Sequence, residues 1–270
     1  MTLQLDPRRI AMLQEMGLRL LPRAAPTEAE PKAVVAEAVE AVQAPEVVEA
    51  RAPVARPAPA PVGVPLPTPR VMGDRPTGIE SLDWADLEAA VAGCRACGLC
   101  ESRRNTVFGV GPQRADWMVI GEAPGENEDL QGEPFVGQAG KLLDNMLRAA
   151  GLDRRRNVYI ANVLKCRPPG NRNPEPQEVA QCEPFLRRQV ALVQPRVILA
   201  MGRFAVQTIL QSQEPVGRLR GRVHRYQGVP VVVTYHPAYL LRNLQDKSKA
   251  WSDLCLAMDL MDGVQPSAQA

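Results

Sequence analysis

The sequence has no long apolar segment and no recognisable export signal. No apolar run reaches the roughly 18 residues that a membrane-spanning helix needs. The first residues, Met1 to Arg9, lack the basic stretch followed by an apolar stretch that is typical of a secretory signal. These absences disfavour membrane and secreted proteins, and we expect a cytoplasmic protein without membrane contact.

The sequence also has little net charge. Its formal net charge is +2 over 270 residues. Residues 1–81 carry 9 Lys and Arg against 10 Asp and Glu, whereas residues 82–270 carry 23 against 20, a net charge of +3. Bulk charge therefore does not indicate nucleic-acid binding, and such a role must rest on local clusters of basic residues.

Six cysteines are the most informative residues that are present. In a chain without an export signal they favour metal or cluster ligation over disulfides. Cys94 and Cys97 form a Cys-x-x-Cys hook, whereas Cys166 and Cys182 stand alone further along the chain. Four thiolates can hold zinc or an iron–sulfur cluster, and the use of one hook instead of two favours the cluster.

Two further cysteines have less certain roles. Cys100 extends the hook and could act as a substitute ligand, whereas Cys255 lies on an apolar helix face, which indicates a place in the core. Buried cysteines without any ligand are the alternative interpretation of the whole set.

Composition divides the chain into four parts. Residues 1–21 have helical periodicity, which predicts a short amphipathic helix that could dock on a partner protein. Residues 22–81 are rich in Ala, Pro and Glu and are predicted to form a disordered linker, because they cannot bury enough apolar surface to fold. We expect one folded domain over residues 82–263 and a disordered tail over residues 264–270.

The folded domain alternates apolar strands with amphipathic helices. Buried strands are predicted at 117–120, 158–162 and 197–201, followed by a hairpin that ends before Tyr235. This alternation predicts an α/β fold, a three-layer α/β/α sandwich with a mostly parallel central sheet, preceded by the disordered N-terminal extension. Ligands of such sheets bind at the carboxyl ends of the strands.

Three unusual residues, Glu122, Asn162 and His236, follow these predicted strand ends. Each has a simple structural explanation. The segment Gly121-Glu-Ala-Pro-Gly could be a tight turn, a buried Asn can be satisfied by backbone groups, and a lone His is often structural. Their coincidence at one edge of the sheet is the first indication of a functional site.

Five segments in this order resemble the family-4 uracil-DNA glycosylases, the iron–sulfur branch of the uracil-DNA glycosylase superfamily. They are residues 94–97, 121–129 with 132–137, 162–174, Cys182 and 236–242. The resemblance covers about residues 82 to 261 and implies an α/β/α fold. It also implies a 4Fe–4S cluster on Cys94, Cys97, Cys166 and Cys182, and it leaves Cys100 as a bystander.

The resemblance implies a DNA-repair enzyme that flips uracil out of DNA and hydrolyses its N-glycosidic bond. The implied uracil pocket consists of Gly121, Glu122, Ala123, Phe135, Asn162 and His236. Phe135 would stack on the base, Asn162 would read its N3–H and O4, and His236 would donate to O2. Glu122 or Glu128 would orient the attacking water, unless leaving-group stabilisation does most of the work. Glu128 could instead exclude the methyl group of thymine.

Residues in the same segments are expected to contact DNA phosphates or to fill the gap left by the flipped base. They are Arg167, Arg172, Arg220, Tyr239, Leu240, Leu241 and Arg242. The expected ligand is uracil-containing DNA, bound by a nucleoid-associated monomer. A replication or repair protein is the expected partner of the N-terminal helix.

Two other functions are open at this point. One is a relative that traps uracil-DNA covalently, but that branch carries a His-containing basic insertion after the second strand, and residues 167–174 contain no His. The other is a non-enzymatic nucleic-acid-binding module with a structural metal or cluster. The presence of Phe135, Asn162 and His236 argues against it.

Overall fold

A computed structural model of the protein describes Gly73 and residues 75–263. The helix predicted for residues 1–21, most of the predicted linker and the tail predicted for residues 264–270 lie outside the described residues. The ordered domain begins before the predicted boundary at residue 82. Ile79 lies in a short 3-10 helix, Ile79–Ser81, and is buried against Leu87, Val91 and Phe185.

The centre of the domain is a five-stranded sheet. Its strands are β1 (Trp117–Gly121), β2 (Val158–Asn162), β3 (Val197–Met201), β4 (Val223–Tyr226) and β5 (Val229–Thr234). They lie in the order β2-β1-β3-β5-β4, and all neighbours are parallel except the β4–β5 hairpin. The predicted mostly parallel sheet is therefore confirmed.

Helices connect the strands. They are α1 (Trp84–Ala92), α2 (Glu126–Gln131), α3 (Gln138–Ala149), α4 (Pro176–Val193), α5 (Arg203–Leu210), α6 (Val216–Leu219), α7 (Pro237–Arg242) and α8 (Lys247–Met261). Local sequence fixes their starts. Asp83 accepts a hydrogen bond from the N–H of Asp86 at 2.9 Å and so caps α1. Pro176 occupies the first position of α4, where its missing N–H costs nothing.

Alternating residues of the strands supply two separate cores. Val119, Ile160 and Leu199 face one side, where they pack against α3 and α8. Met118 and Ile198 face the other side, where they pack against α4 and α5. Because both faces of the sheet are covered, its strands are apolar throughout, as expected for a buried parallel sheet. The predicted three-layer α/β/α sandwich is confirmed.

The two edges of the sheet are formed by β4 and β2. The short antiparallel strand β4 pairs only with β5 among the described strands. At the other edge Val110 exchanges two backbone hydrogen bonds with Ile160 of β2, at 2.9 and 2.8 Å. In the part of the chain that the structure describes, no helix is long and apolar enough to cross a membrane.

Candidate active site

The carboxyl ends of four strands meet at one edge of the sheet, where a cleft of about 700 Å³ opens. Its walls include residues that end or directly follow these strands: Glu122 after β1, Asn162 of β2, Gly202 after β3 and His236 after β5. Parallel strands bring these positions together because all of their carboxyl ends point the same way. Glu122, Asn162 and His236, which the sequence singled out, therefore share one cleft.

Asn162 is the most unusual of these residues because its amide is buried without a complete set of partners. It is 2% exposed, and within the described residues its Oδ1 has no hydrogen-bond partner. It lies opposite Gly121 in the β1–β2 register. A Cβ atom at position 121 would lie 2.5 Å from Oδ1 and 2.5 Å from the ring of Phe135, so only glycine leaves room for both. An unpaired buried acceptor is costly, and this one is suited to a donor on a ligand.

His236 presents a neutral ring with a defined donor. Its Nδ1 accepts a hydrogen bond from the N–H of Ala238 at 3.2 Å and so caps α7. Because Nδ1 is the acceptor, the proton of the neutral ring lies on Nε2. Burial lowers the pKa of His236 to about 4, and the nearby Glu128 only partly opposes this effect. Near neutral pH the ring is therefore uncharged and has an Nε2–H group to donate.

Phe135 stacks on His236, with ring centroids 5.4 Å apart and an interplanar angle of 29°. Its backbone is in the left-handed region, with a φ of 56°, which is unfavourable for a residue with a large side chain. Arg154 supports this conformation by donating to the carbonyl of Phe135 at 2.9 Å and to that of Pro134 at 3.2 Å. Arg154 is itself held by Asp144 at 2.7 Å.

The two glutamates of the cleft have different environments. Glu128 accepts hydrogen bonds from three backbone N–H groups at 2.9 to 3.1 Å, those of Gly125, Val136 and Gly137. Its carboxylate thereby fixes the loop that carries Phe135. Among the residues that the structure describes, Glu122 has no such set of donors, and burial raises its pKa to about 7, although Arg203 opposes the shift. Glu122 can therefore change its charge near neutral pH.

A second, smaller cavity is lined by cysteines that are distant in the sequence: Cys94, Cys97, Cys100, Cys166 and Cys182. Burial raises the pKa of Cys97 to about 11 and that of Cys182 to about 12, and neighbouring thiols contribute to both shifts. Arg103 donates to Sγ of Cys166 at 3.0 Å. Among the described residues, no group of three or more His, Cys, Asp or Glu side chains is arranged to hold a single metal ion.

Comparison with known proteins gives the family. The profile of the Uracil DNA glycosylase superfamily matches residues 108–255. A type-4 uracil-DNA glycosylase of Archaeoglobus fulgidus is 44% identical over 197 residues, which span 70% of this chain and 98% of that protein. The chain belongs to the type-4 uracil-DNA glycosylase family. Type-4 relatives from Saccharolobus solfataricus and Thermotoga maritima are 42% and 45% identical, over 60% and 56% of this chain and 79% of each relative.

Family membership confirms the resemblance that the five sequence segments indicated. In this type-4 chain five of the predicted pocket residues line the cleft, namely Glu122, Ala123, Phe135, Asn162 and His236. Gly121 lies directly behind Asn162 and Phe135. The structure therefore assembles the predicted pocket, while the chemical role of each residue stays a prediction.

Two of the predicted DNA contacts are not available in this structure. Leu240 is fully buried in the core, on the helix that packs against α3, so it cannot enter DNA without unfolding of α7. Arg220 pairs with the fully buried Asp253, at 3.1 Å between Nε and Oδ2, and its charge is thus already matched inside the protein. A buried carboxylate of this kind needs its partner for stability.

Of the other predicted DNA contacts, Arg172, Tyr239 and Arg242 line the cleft. Leu241 is 43% exposed, and the neighbouring Arg242 is exposed at the edge of the cleft. The hydroxyl of Tyr239 donates to Asp246 at 2.7 Å, which fixes the same segment. Arg167 is partly exposed and Arg172 is exposed, but both already have partners. Arg167 donates to Asn171, and Arg172 forms a bidentate pair with Glu178.

The structure adds residues that the sequence did not indicate. Arg203 lines the cleft beside Glu122, and its position directly after the end of β3 is a signal that could have revealed it. Leu244, three residues after Leu241, is 55% exposed. Arg154 had no such signal, because it lies 19 residues from Phe135 and meets it only in the folded chain.

Gly121→Ala tests the close packing behind the pocket. We expect a loss of about 1–3 kcal/mol in the free energy of unfolding, because the new methyl group must displace the Phe135 ring or the Asn162 amide. Denaturant titration would measure the loss. The control is Gly93→Ala, where the nearest atom to the added Cβ lies at 3.5 Å and little change is expected. Equal stability of the two variants would contradict the packing described here.

Proposed function

We propose that this protein releases uracil from DNA by hydrolysing the N-glycosidic bond, which leaves an abasic site and begins base excision repair. One observation carries the proposal: the unpaired Oδ1 of buried Asn162 lies in one cleft with the stacked rings of Phe135 and His236. The type-4 uracil-DNA glycosylases of similar sequence support it.

The base must leave the helical stack before a buried pocket can read it. Oδ1 of Asn162 would accept from uracil N3–H, and the NH₂ group would donate to O4. Cytosine presents the opposite pattern at these two positions and would leave both polar groups buried without partners. A site of this kind discriminates strongly. The ring of Phe135 offers an apolar surface for the face of the base.

His236 is suited to stabilise the leaving group. Negative charge grows on uracil O2 as the glycosidic bond breaks, and the Nε2–H of the neutral imidazole would donate to that oxygen. Because the pKa of His236 is low, the ring donates this hydrogen bond as a neutral imidazole and not as a positively charged imidazolium.

Glu122 is the better candidate to orient the attacking water. The carboxylate of Glu128 is already occupied by three backbone donors, and Ala123 has no ionisable group. Glu122 lines the cleft and is ionised in an appreciable fraction of molecules at neutral pH. The ionised carboxylate would accept a hydrogen bond from the attacking water. A lone pair of the water oxygen would then be directed at the sugar.

The exposed segment after His236 is suited to hold the DNA. Leu241 and Leu244 present apolar side chains that could fill the gap left by the flipped base. Arg242 between them, together with Arg172 of the cleft lining and with Arg167, would contact phosphates. Tyr239 would hold this segment in place through Asp246.

Cys94, Cys97, Cys166 and Cys182 would hold a 4Fe–4S cluster. Their cavity is also lined by Arg103 and Lys165, which suit an anionic, thiolate-ligated group. When bound, the cluster supplies a cross-link between the start of the domain, the segment after β2 and helix α4.

A single-turnover assay tests the function itself. Purified protein should release free uracil from a uracil oligonucleotide and release no base from matched thymine and cytosine oligonucleotides. A denaturation-resistant protein–DNA adduct without free uracil would favour the covalent-trapping alternative. Binding without either product would favour the non-enzymatic module.

Asn162→Ala and Asn162→Asp test the reading of the base. We expect both to lower the rate of uracil release about ten- to hundredfold, since they remove hydrogen bonds to a buried polar edge. The Asp variant should also show a smaller preference for uracil over cytosine, because a carboxylate can accept from the cytosine amine. Asn145→Ala, outside the cleft, is the control. If the Asn162 variants keep wild-type rates on matched oligonucleotides, Asn162 does not read the base.

The pH dependence of the rate tests Glu122. Its pKa is raised to about 7, so below that pH the carboxyl group is protonated and is a much weaker acceptor for the attacking water. The single-turnover rate should therefore rise through pH 7 and level off above it. Glu122→Gln should be slower and should lose this inflection. An unchanged inflection in the variant would assign it to a different group.

Substitution of the cysteines tests the cluster. Protein purified without oxygen should contain about four irons per chain. Cys94→Ala, Cys97→Ala, Cys166→Ala and Cys182→Ala should each lose iron or solubility. Cys100→Ala and Cys255→Ala are the matched controls and should keep both. Stoichiometric zinc without iron in the wild-type protein would disprove the cluster.

A further inference from the structure

Lys165 is a buried cation that the proposed reaction does not use. It is 2% exposed and follows β2, between Asn162 and Cys166. Its Nζ donates to the backbone carbonyl of Asn162 at 2.7 Å and to Oε1 of Gln189 at 2.6 Å. Both acceptors are neutral, and within residues 75–263 Lys165 makes no ion pair with a carboxylate. A buried ammonium group without a counter-charge is costly, so packing alone does not explain it.

One side of Lys165 faces the cysteine cavity. Lys165 and Arg103 are the two cations that line this cavity, and none of its described lining residues is a carboxylate. The backbone N–H of Lys165 also donates to Sγ of Cys182 at 3.3 Å. A group held there by thiolates would be anionic and would supply the missing counter-charge. The position of the ammonium group is therefore tied to this cavity.

The other side of Lys165 reaches the pocket. Gln189 of α4 is itself fixed, because its Nε2 donates to the carbonyl of Phe108 at 2.9 Å and to the hydroxyl of Tyr159 at 3.1 Å. The ammonium group is thus anchored on α4 and holds the carbonyl of Asn162 from a rigid position. That carbonyl belongs to the same residue whose side chain would read the base. A site of this kind works only when its side chain is held within about 0.5 Å of the productive geometry.

We propose that Lys165 is a positioning residue for base recognition, which fixes the peptide of Asn162 between the cysteine cavity and Gln189 and so orients the Asn162 amide. The proposal rests on the proposed role of Asn162 in reading uracil. Lys165 itself touches neither the base nor the reacting atoms, and it acts through Asn162.

A double-mutant cycle tests this coupling. The variants are Lys165→Met, Asn162→Ala and their combination. Lys165→Met should slow single-turnover uracil release about ten- to hundredfold in the wild-type background, but less than about threefold when Asn162 is already Ala. For the same variants, the Kd is measured for DNA that carries a non-cleavable fluorinated deoxyuridine and for the matched thymine DNA. The ratio of the two Kd values is the second readout of the cycle. Iron content and thermal unfolding are recorded for each variant.

Arg103→Met is the matched control. It removes the other cation of the cysteine cavity, but Arg103 donates to Cys166 and to the carbonyl of Ala92, and neither of these residues lines the uracil pocket. In the double variant, the fold reductions in rate caused by Arg103→Met and by Asn162→Ala should therefore simply multiply. If Lys165→Met fails to fold or loses iron, Gln189→Met replaces it, because that change removes the anchor of Nζ and keeps the lysine. It should show the same dependence on Asn162.

Three results would decide the matter. Equal losses from the Lys165 or Gln189 change in both backgrounds would overturn the proposal and leave Lys165 with a purely structural role. Losses that vanish in the Asn162→Ala background would support it. A wild-type protein that releases no uracil would overturn the proposed function, and the cycle on Kd would still report on Lys165.

Discussion

In the parallel pairing of β1 with β2, Gly121 lies opposite Asn162. The missing side chain on one strand leaves space for the amide on the next, and the ring of Phe135 fills what is left of the gap. The pairing continues past the strands, where the carbonyls of Gly121 and Glu122 accept from the N–H groups of Val163 and Leu164 at 3.0 Å. The chain therefore leaves the pocket in a fixed direction, which leads it within a few residues to the cysteine cavity. The register of β1 against β2 therefore fixes where the chain forms the pocket and where it enters the cysteine cavity.

The sequence could predict the sheet and the residues at its carboxyl edge, because buried parallel strands are apolar runs and the polar residues that end them stand out. It could not predict which face of α7 is buried. That helix has six residues, too few for its periodicity to separate Leu240, which is in the core, from Leu241, which is exposed. Nor could it reveal the support of Phe135 by Arg154, because no short-range pattern links residues that meet only after folding.

Environment, more than residue type, separates the acidic groups of this domain. Glu128 is held by backbone donors and serves the loop, whereas Glu122 has burial without those donors and titrates near neutral pH. Asp253 is fully buried beside Arg220, and burial raises its pKa to about 6 despite this partner. In the sequence these residues are three similar carboxylic acids. Only the fold shows that Glu128 supports a loop, that Glu122 is buried in the cleft and that Asp253 forms an internal ion pair.

The short bridge between Val110 and Ile160 has a consequence for the behaviour of the protein in solution. Strand β2 lies at the edge of the sheet, and an open edge can pair with a strand of another chain and start aggregation. The segment around Val110 occupies part of this edge. It can do so because Gly111 has no side chain, since a Cβ there would lie 2.2 Å from the carbonyl oxygen of Val158. A larger residue at position 111 would push this cover away and expose the strand that carries Asn162 to intermolecular pairing.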